Sequence, residues 1–257
     1  MKRVLIASGQ QSLMSNLDLV LKHWGYRPLS SSHRDDICGL LHASEPELVI
    51  FDAPWLRQHA ADLLPLVPQM ERLNMRLAVL DDCREKVPLL SNGLPYKKIP
   101  SDIFSLYGLT QAVLQHHPRR RLRTGVHLPG MLRRNGRPWD MTQILTLGTG
   151  GMFIRSGFRL QRSETLQMCV PLFGLKEELE AVGRVVYEIH PTLENNYIQG
   201  YGIEFTSLSP QSQKSLSRFV AGCFLRDLEH PQPVAQPPSP SYSMVKKVDC
   251  SLAGMAF

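Results

Sequence analysis

The chain has 257 residues, 43% hydrophobic and 20% charged, the ordinary make-up of a soluble globular protein with room for two modest domains. No apolar run is long enough to span a bilayer, and Val4 to Ser8, behind Met1-Lys2-Arg3, is too short for a signal-peptide core, so a cytoplasmic location without membrane insertion is expected. The net charge of +6 is local: Arg119, Arg120, Arg121, Arg123, Arg133, Arg134 and Arg137 fall in one stretch that holds no acid, which favours an anionic partner.

The first half alternates strand-like and helix-like segments. Val4 to Ala7 suits a buried strand. Leu13, Leu17, Val20, Leu21 and Trp24 follow at helical spacing until Gly25. Tyr26 to Leu29 suits a second strand, and Ile37, Leu40 and Leu41 a second helix. Leu48 to Phe51 is a continuous apolar run, as buried parallel strands require. A helix through Leu63 to Leu73 is expected, disturbed by Pro65 and Pro68. Leu77 to Leu80 and Pro95 to Ile99 suit two further strands, and Ile103 to Leu114 a last helix. This βα order implies a flavodoxin-like doubly wound α/β domain over residues 1–117.

Helical periodicity ends at His116-His117-Pro118. Strand-like stretches follow at Val126–Leu132, Ile144–Leu147, Met152–Ile154, Leu166–Leu172, Ala181–Ile189 and Ile198–Phe205. They are punctuated by Asn135-Gly136, Gly150-Gly151 and Asn195-Asn196, so residues 118–229 read as an antiparallel barrel or sandwich. Ser209 is placed to cap a helix that starts at Pro210, with Leu216, Phe219, Val220 and Phe224 as its apolar stripe. Residues 230–257 are proline-rich and read as a disordered tail.

The cysteines Cys38, Cys83, Cys169, Cys223 and Cys250 are scattered and form no Cys-x-x-Cys pair, so reduced thiols are expected and no metal site. No His-Glu-x-x-His or Gly-x-Ser-x-Gly spacing occurs. Gly148-Thr149-Gly150-Gly151 lacks the Lys-Ser/Thr of a phosphate loop. No enzyme activity and no cofactor are therefore expected.

The first half resembles the CheY-like receiver family. Its third strand, Leu48-Val49-Ile50-Phe51-Asp52, puts Asp52 where that family has its phosphoacceptor aspartate. The chemistry needs magnesium held by an acidic pair after the first strand, and here the chain reads Ala7-Ser8-Gly9. The fourth strand ends Leu80-Asp81-Asp82 where the family has Ser or Thr, and the family's Lys-Pro pair appears out of register as Lys98-Ile99-Pro100. Asp52 is thus a degenerate phosphoacceptor position. The domain reads as a pseudo-receiver, whose expected use is self-association or contact with a protein partner.

From Pro118 to Phe224 the chain resembles the PilZ family of cyclic di-GMP receptors. Arg119-Arg120-Arg121-Leu122-Arg123 contains the family's Arg-x-x-x-Arg as Arg119 and Arg123. Thr146-Leu147-Gly148-Thr149-Gly150-Gly151 resembles its Asp/Asn-x-Ser-x-x-Gly motif, and Gly200 to Phe205, running into Leu208-Ser209, resembles its last strand and helix. The resemblance implies an all-β barrel with a C-terminal helix. It also implies cyclic di-GMP binding through Arg119, Arg120, Arg123, Thr146, Gly148 and Gly151. Arginine suits that ligand because its planar fork pairs with phosphate or with guanine O6 and N7, and its face stacks on a base. Here Thr146 replaces the motif's acid and Gly148 its serine, so restoring both with Thr146→Asp and Gly148→Ser is expected to tighten binding. The leading expectation is a cyclic di-GMP-responsive bacterial signalling adaptor regulated through the arginine-rich interdomain linker. Alternatives are a ligand-independent interaction module and a nucleic-acid-binding regulator. Against the last, no helix-turn-helix pattern occurs, and no aromatic residue interleaves the arginines before Trp139.

Overall fold

Alternation along the short N-terminal strands decides which helices cover which side of the first sheet. The computed structural model describes residues 1–80, 96–100, 102–134, 136–194, 197 and 199–229, with the side chains of residues 96–99 excepted. Strands β1 (Arg3–Ala7), β2 (Arg27–Ser31), β3 (Leu48–Asp52), β4 (Arg76–Leu80) and β5 (Tyr96–Ile99) form a parallel sheet in the order β2-β1-β3-β4-β5. Leu5, Ala7, Val49, Phe51, Leu77 and Val79 point to one side. There they pack with Ile37 and Leu41 of α2 (Arg34–Ser44) and with Trp55 and Leu56 of α3 (Ala53–Leu63). Val4, Ile6, Leu48, Ile50, Ala78 and Leu80 point to the other. There they pack with α1 (Gln11–His23) and α5 (Ile103–Leu114). The first region is therefore a doubly wound, receiver-like α/β unit.

The expected helix over 63–73 is corrected. Helix α3 starts at Ala53 with Pro54 in its first turn, a single 3₁₀ turn covers Leu64–Leu66, and α4 covers Val67–Arg72. Pro65 and Pro68 each occupy the first turn of a new helical segment, where the missing N–H costs nothing. Trp55, Leu56 and Leu63 carried a helical signal that the prolines obscured.

Strands β6 (Arg123–Arg134), β7 (Trp139–Gly148), β8 (Gly151–Ser156), β9 (Thr165–Leu172), β10 (Glu177–Ile189) and β11 (Gly200–Leu208) close into an antiparallel barrel in the order β10-β11-β8-β7-β6-β9. Along β6 buried and exposed residues alternate from Leu122 to Leu132, as a barrel wall requires. Helix α6 (Pro210–Glu229) lies against β6, β7 and β10. Ser209 Oγ accepts the Ser212 N–H at 3.0 Å, so Ser209 is the N-cap.

The core on the α1/α5 side of the sheet is continuous with the barrel core. A capped helix end builds the junction. At Gly25 (φ +81°) the chain leaves α1 through paired bonds from Gly25 N to Lys22 O and from Tyr26 N to Leu21 O. That turn delivers Trp24 edge-on to Tyr107 of α5 at 5.2 Å and tilted onto Phe224 of α6 at 5.7 Å. His23 meets the same phenylalanine edge-on.

Cys38, Cys169 and Cys223 are free thiols, and burial pushes the last two above the ordinary thiol range. Asp81, Asp82, Cys83, Asn135, Asn195, Asn196, Ile198 and the tail from residue 230 lie outside the described residues, as does the side chain of Lys98.

Asp52 is buried at the end of β3, and the hydroxyl of fully buried Ser8 donates to its Oδ2 at 2.9 Å. Ser8 thus stands where a receiver would place a magnesium-binding carboxylate, and it takes up one oxygen of the acceptor. Incubation with acetyl phosphate and magnesium is therefore expected to leave the intact mass unchanged. A gain of one phosphoryl group that disappears in Asp52→Ala would contradict this.

Candidate functional site

From the α5–β6 connection to the first residue of β6, four arginines occupy five consecutive positions, and the one apolar residue among them sorts the rest. Leu122 is 3% exposed and belongs to the barrel core. Burying such a side chain contributes about 1.5–3 kcal/mol. Neighbours in an extended chain point to the opposite face, so Arg121 and Arg123 are turned outward. With Arg119 and Arg120 they line one open cleft of about 340 Å³. Its floor is the β7–β8 turn, Gly148 and Gly150-Gly151, and its far wall is Tyr187 of β10 with Gly202 and Glu204 of β11.

The floor depends on missing side chains. A Cβ at Gly148 would sit 2.7 Å from the Leu122 carbonyl oxygen and 2.8 Å from Arg123 Cγ. Arg121 lies across Gly150 so closely that a Cβ there would overlap its guanidinium group. The arginine segment is therefore laid directly on the turn.

Of the residues singled out in the sequence, Arg119, Arg120, Arg123, Gly148 and Gly151 come together at this cleft. Thr146 is not on its wall; it pairs with Gly125 and Phe153 in the sheet. The expectation that Gly148→Ser would restore a ligand contact meets the Leu122 carbonyl, which occupies the space a serine side chain needs. Arg121, named in the sequence as part of the basic cluster but not as a ligand residue, also lines the cleft, and so do Tyr187 and Glu204, which sequence reasoning did not single out. Gly202, isolated inside a strand, was a sign of close approach, but its partner Tyr187 is set by pairing across β10 and β11.

The cleft is strongly positive, with Glu204 the one carboxylate among its described lining residues. Glu204 is ion-paired with Arg184 at 3.3 Å, both groups about half exposed. Behind the cleft lies the domain junction. Arg119 N donates to Gln111 Oε1 of α5 at 3.0 Å, and Gln115 Nε2 to the hydroxyl of buried Tyr26 at 3.0 Å. Burial pushes the Tyr107 phenol above its ordinary range, while the charges of Arg119 and Arg123 pull it back. Among the described residues no group of three or more His, Cys, Asp or Glu is placed to hold a metal ion.

The chain thus combines a closed six-stranded antiparallel barrel, a C-terminal helix and an arginine-lined cleft at a glycine turn, whose charge is of the sign that suits an anion. Residues 116–222 match the PilZ domain family, and this part of the chain is a PilZ domain. Similar solved structures include the Escherichia coli YcgR PilZ domain with c-di-GMP (16% identity, 45% of this chain and 98% of that one, TM-score 0.37). They also include the Bacillus subtilis inhibitor of motility MotI/DgrA (17%, 44% and 53%, 0.37). A third is the K. pneumonia MrkH–c-di-GMP complex (17%, 46% and 54%, 0.36). The match spans about half the length of the MotI and MrkH chains. No curated protein gives a significant match.

Two of the three floor glycines, Gly148 and Gly150, should respond differently to substitution. Gly148→Ser drives a side chain into backbone, and overpacking of that kind costs about 1–3 kcal/mol. Gly150→Ala first meets the movable Arg121 side chain rather than backbone and should cost less than about 1 kcal/mol. Denaturant unfolding of both variants checks this; a Gly148→Ser protein as stable as wild type would show that the Leu122 segment is not held against the turn.

Proposed function

We propose that this protein is a non-catalytic signalling adaptor that binds cyclic di-GMP in the arginine cleft and passes the binding event to a receiver-like domain. The domain boundary falls at residues 117 and 118. The observation that carries this reading is that one segment, Arg119 to Arg123, both lines the cleft and is tied to α5 through Arg119 N and Gln111. The ligand carries two phosphates and two guanines, and a bidentate guanidinium suits either. Drawing Arg119 onto a phosphate puts strain on its tie to α5, beside Tyr107 and Trp24. A ligand shifts such an equilibrium by as much as its affinities for the two arrangements differ. The receiver-like half, with Ser8 against Asp52 in place of an acidic pair, then serves as a docking surface for a protein partner or a second copy.

A second reading, a ligand-independent interaction module, is favoured by one observation: neither Thr146 nor a side chain at position 148 supplies the motif's polar contacts. The nucleic-acid reading gains less support, because Arg133 and Arg134 are engaged elsewhere. Arg133 lies over Trp139, and Arg134 lies over Phe158 and pairs with Asp140.

Calorimetry of the intact chain with cyclic di-GMP separates the first two readings. Binding is expected, and Arg119→Ala or Arg123→Ala should each weaken it roughly 10- to 100-fold, the size of one charge-assisted hydrogen bond of about 1.5–3 kcal/mol. Lysine at either position should also bind less well, since it keeps the charge and loses the fork. Absence of binding by wild type would leave the ligand-independent module, and tight binding untouched by both alanine variants would move the site elsewhere.

A further inference from the structure

The cleft wall opposite the arginines carries a ring and a carboxylate that no motif of the sequence accounts for. Tyr187 on β10 is paired with Gly202 on β11. Because Gly202 has no side chain, the tyrosine ring lies across its backbone, and a Cβ there would overlap the ring carbons. Phe153 stacks beside the same ring, 6.3 Å between centroids with planes 17° apart. The ring is thus held in a fixed orientation while 38% of the residue stays exposed. Glu204 stands two residues beyond Gly202, so strand alternation puts it on the same face of β11. Its pairing with Arg184 is an exposed one of the weakly stabilising kind, leaving the carboxylate available to a ligand.

Resting on the cyclic di-GMP reading above, we infer that Glu204 and Tyr187 form the guanine-recognising wall of the cleft, with Glu204 replacing the acid that Thr146 lacks. An ionised carboxylate is acceptor-only, with two oxygens side by side. Guanine offers it two adjacent donors, N1–H and the N2 amino group. Adenine offers an acceptor, N1, in the corresponding place, which repels it. Glu204 therefore selects guanine over adenine, and Tyr187 supplies a stacking face that accepts either base. Arginines that hold phosphates add affinity for both dinucleotides alike, and an arginine on guanine O6 and N7 selects in the same direction as Glu204.

The test is calorimetry of the intact protein with cyclic di-GMP and, separately, cyclic di-AMP. Wild type should bind the guanine dinucleotide at least 10-fold more tightly. Glu204→Gln should lose roughly 10-fold for cyclic di-GMP and little for cyclic di-AMP, which narrows the ratio. Arg184→Gln removes the ion pair and keeps the carboxylate, so it should leave the ratio as in wild type. Tyr187→Ala should weaken both ligands by a similar factor of roughly 10, and Tyr187→Phe should restore them. If wild type binds cyclic di-GMP and Glu204→Gln leaves the ratio unchanged, the guanine assignment is overturned while the binding function stands. If wild type binds neither dinucleotide, both fall together.

Discussion

The placement of the arginine segment depends on one buried side chain. Four guanidinium groups crowded into five residues repel one another and gain nothing by entering a core. Leu122 supplies the apolar anchor that holds them against the barrel. Its burial turns Arg121 and Arg123 outward, and its carbonyl oxygen rests over Gly148, so the chain can pass only where position 148 has no Cβ. The cleft, its positive charge and the absence of a serine at position 148 are three consequences of that one seating.

The same seating ties the two halves of the molecule together. The segment ends α5's reach and begins β6, and its Arg119 amide is held by Gln111. A few residues away, Trp24 is wedged between Tyr107 and Phe224, one aromatic contact on each domain. Thr124, next to Arg123, donates to Asp227 of α6 at 2.9 Å. A change at the arginine segment therefore has short physical routes to α5, α1 and α6, through hydrogen bonds and packed rings.

Much of this was legible in the sequence because it rests on local patterns. The apolar run Leu48 to Phe51, the Gly25 stop and the Ser209-Pro210 cap each declare an element without reference to distant residues. The helix over residues 53–63 lies ahead of the one expected from Leu63, because Pro65 and Pro68 read as disturbing a single helix, whereas each sits in the first turn of a new segment. The arginine half of the site was legible for the same reason: it is one contiguous segment. The other wall was not, because Tyr187 and Glu204 meet the arginines only through β10 and β11 pairing and barrel closure. The meaning of Gly148 also changes in three dimensions. As a motif position it reads as a lost serine, and in the fold it is the clearance that lets Leu122 and Arg123 pass.

Hydrogen exchange across the intact chain, with and without cyclic di-GMP, tests most directly whether the cleft and the domain junction share one segment. Altered protection is expected at Arg119 to Thr124 and, in the same experiment, at the C-terminal turn of α5 around Gln111 and Gln115 and at the end of α1 around Trp24. Protection changes confined to the barrel, with α1 and α5 exchanging as in the unliganded protein, would contradict coupling between the two domains.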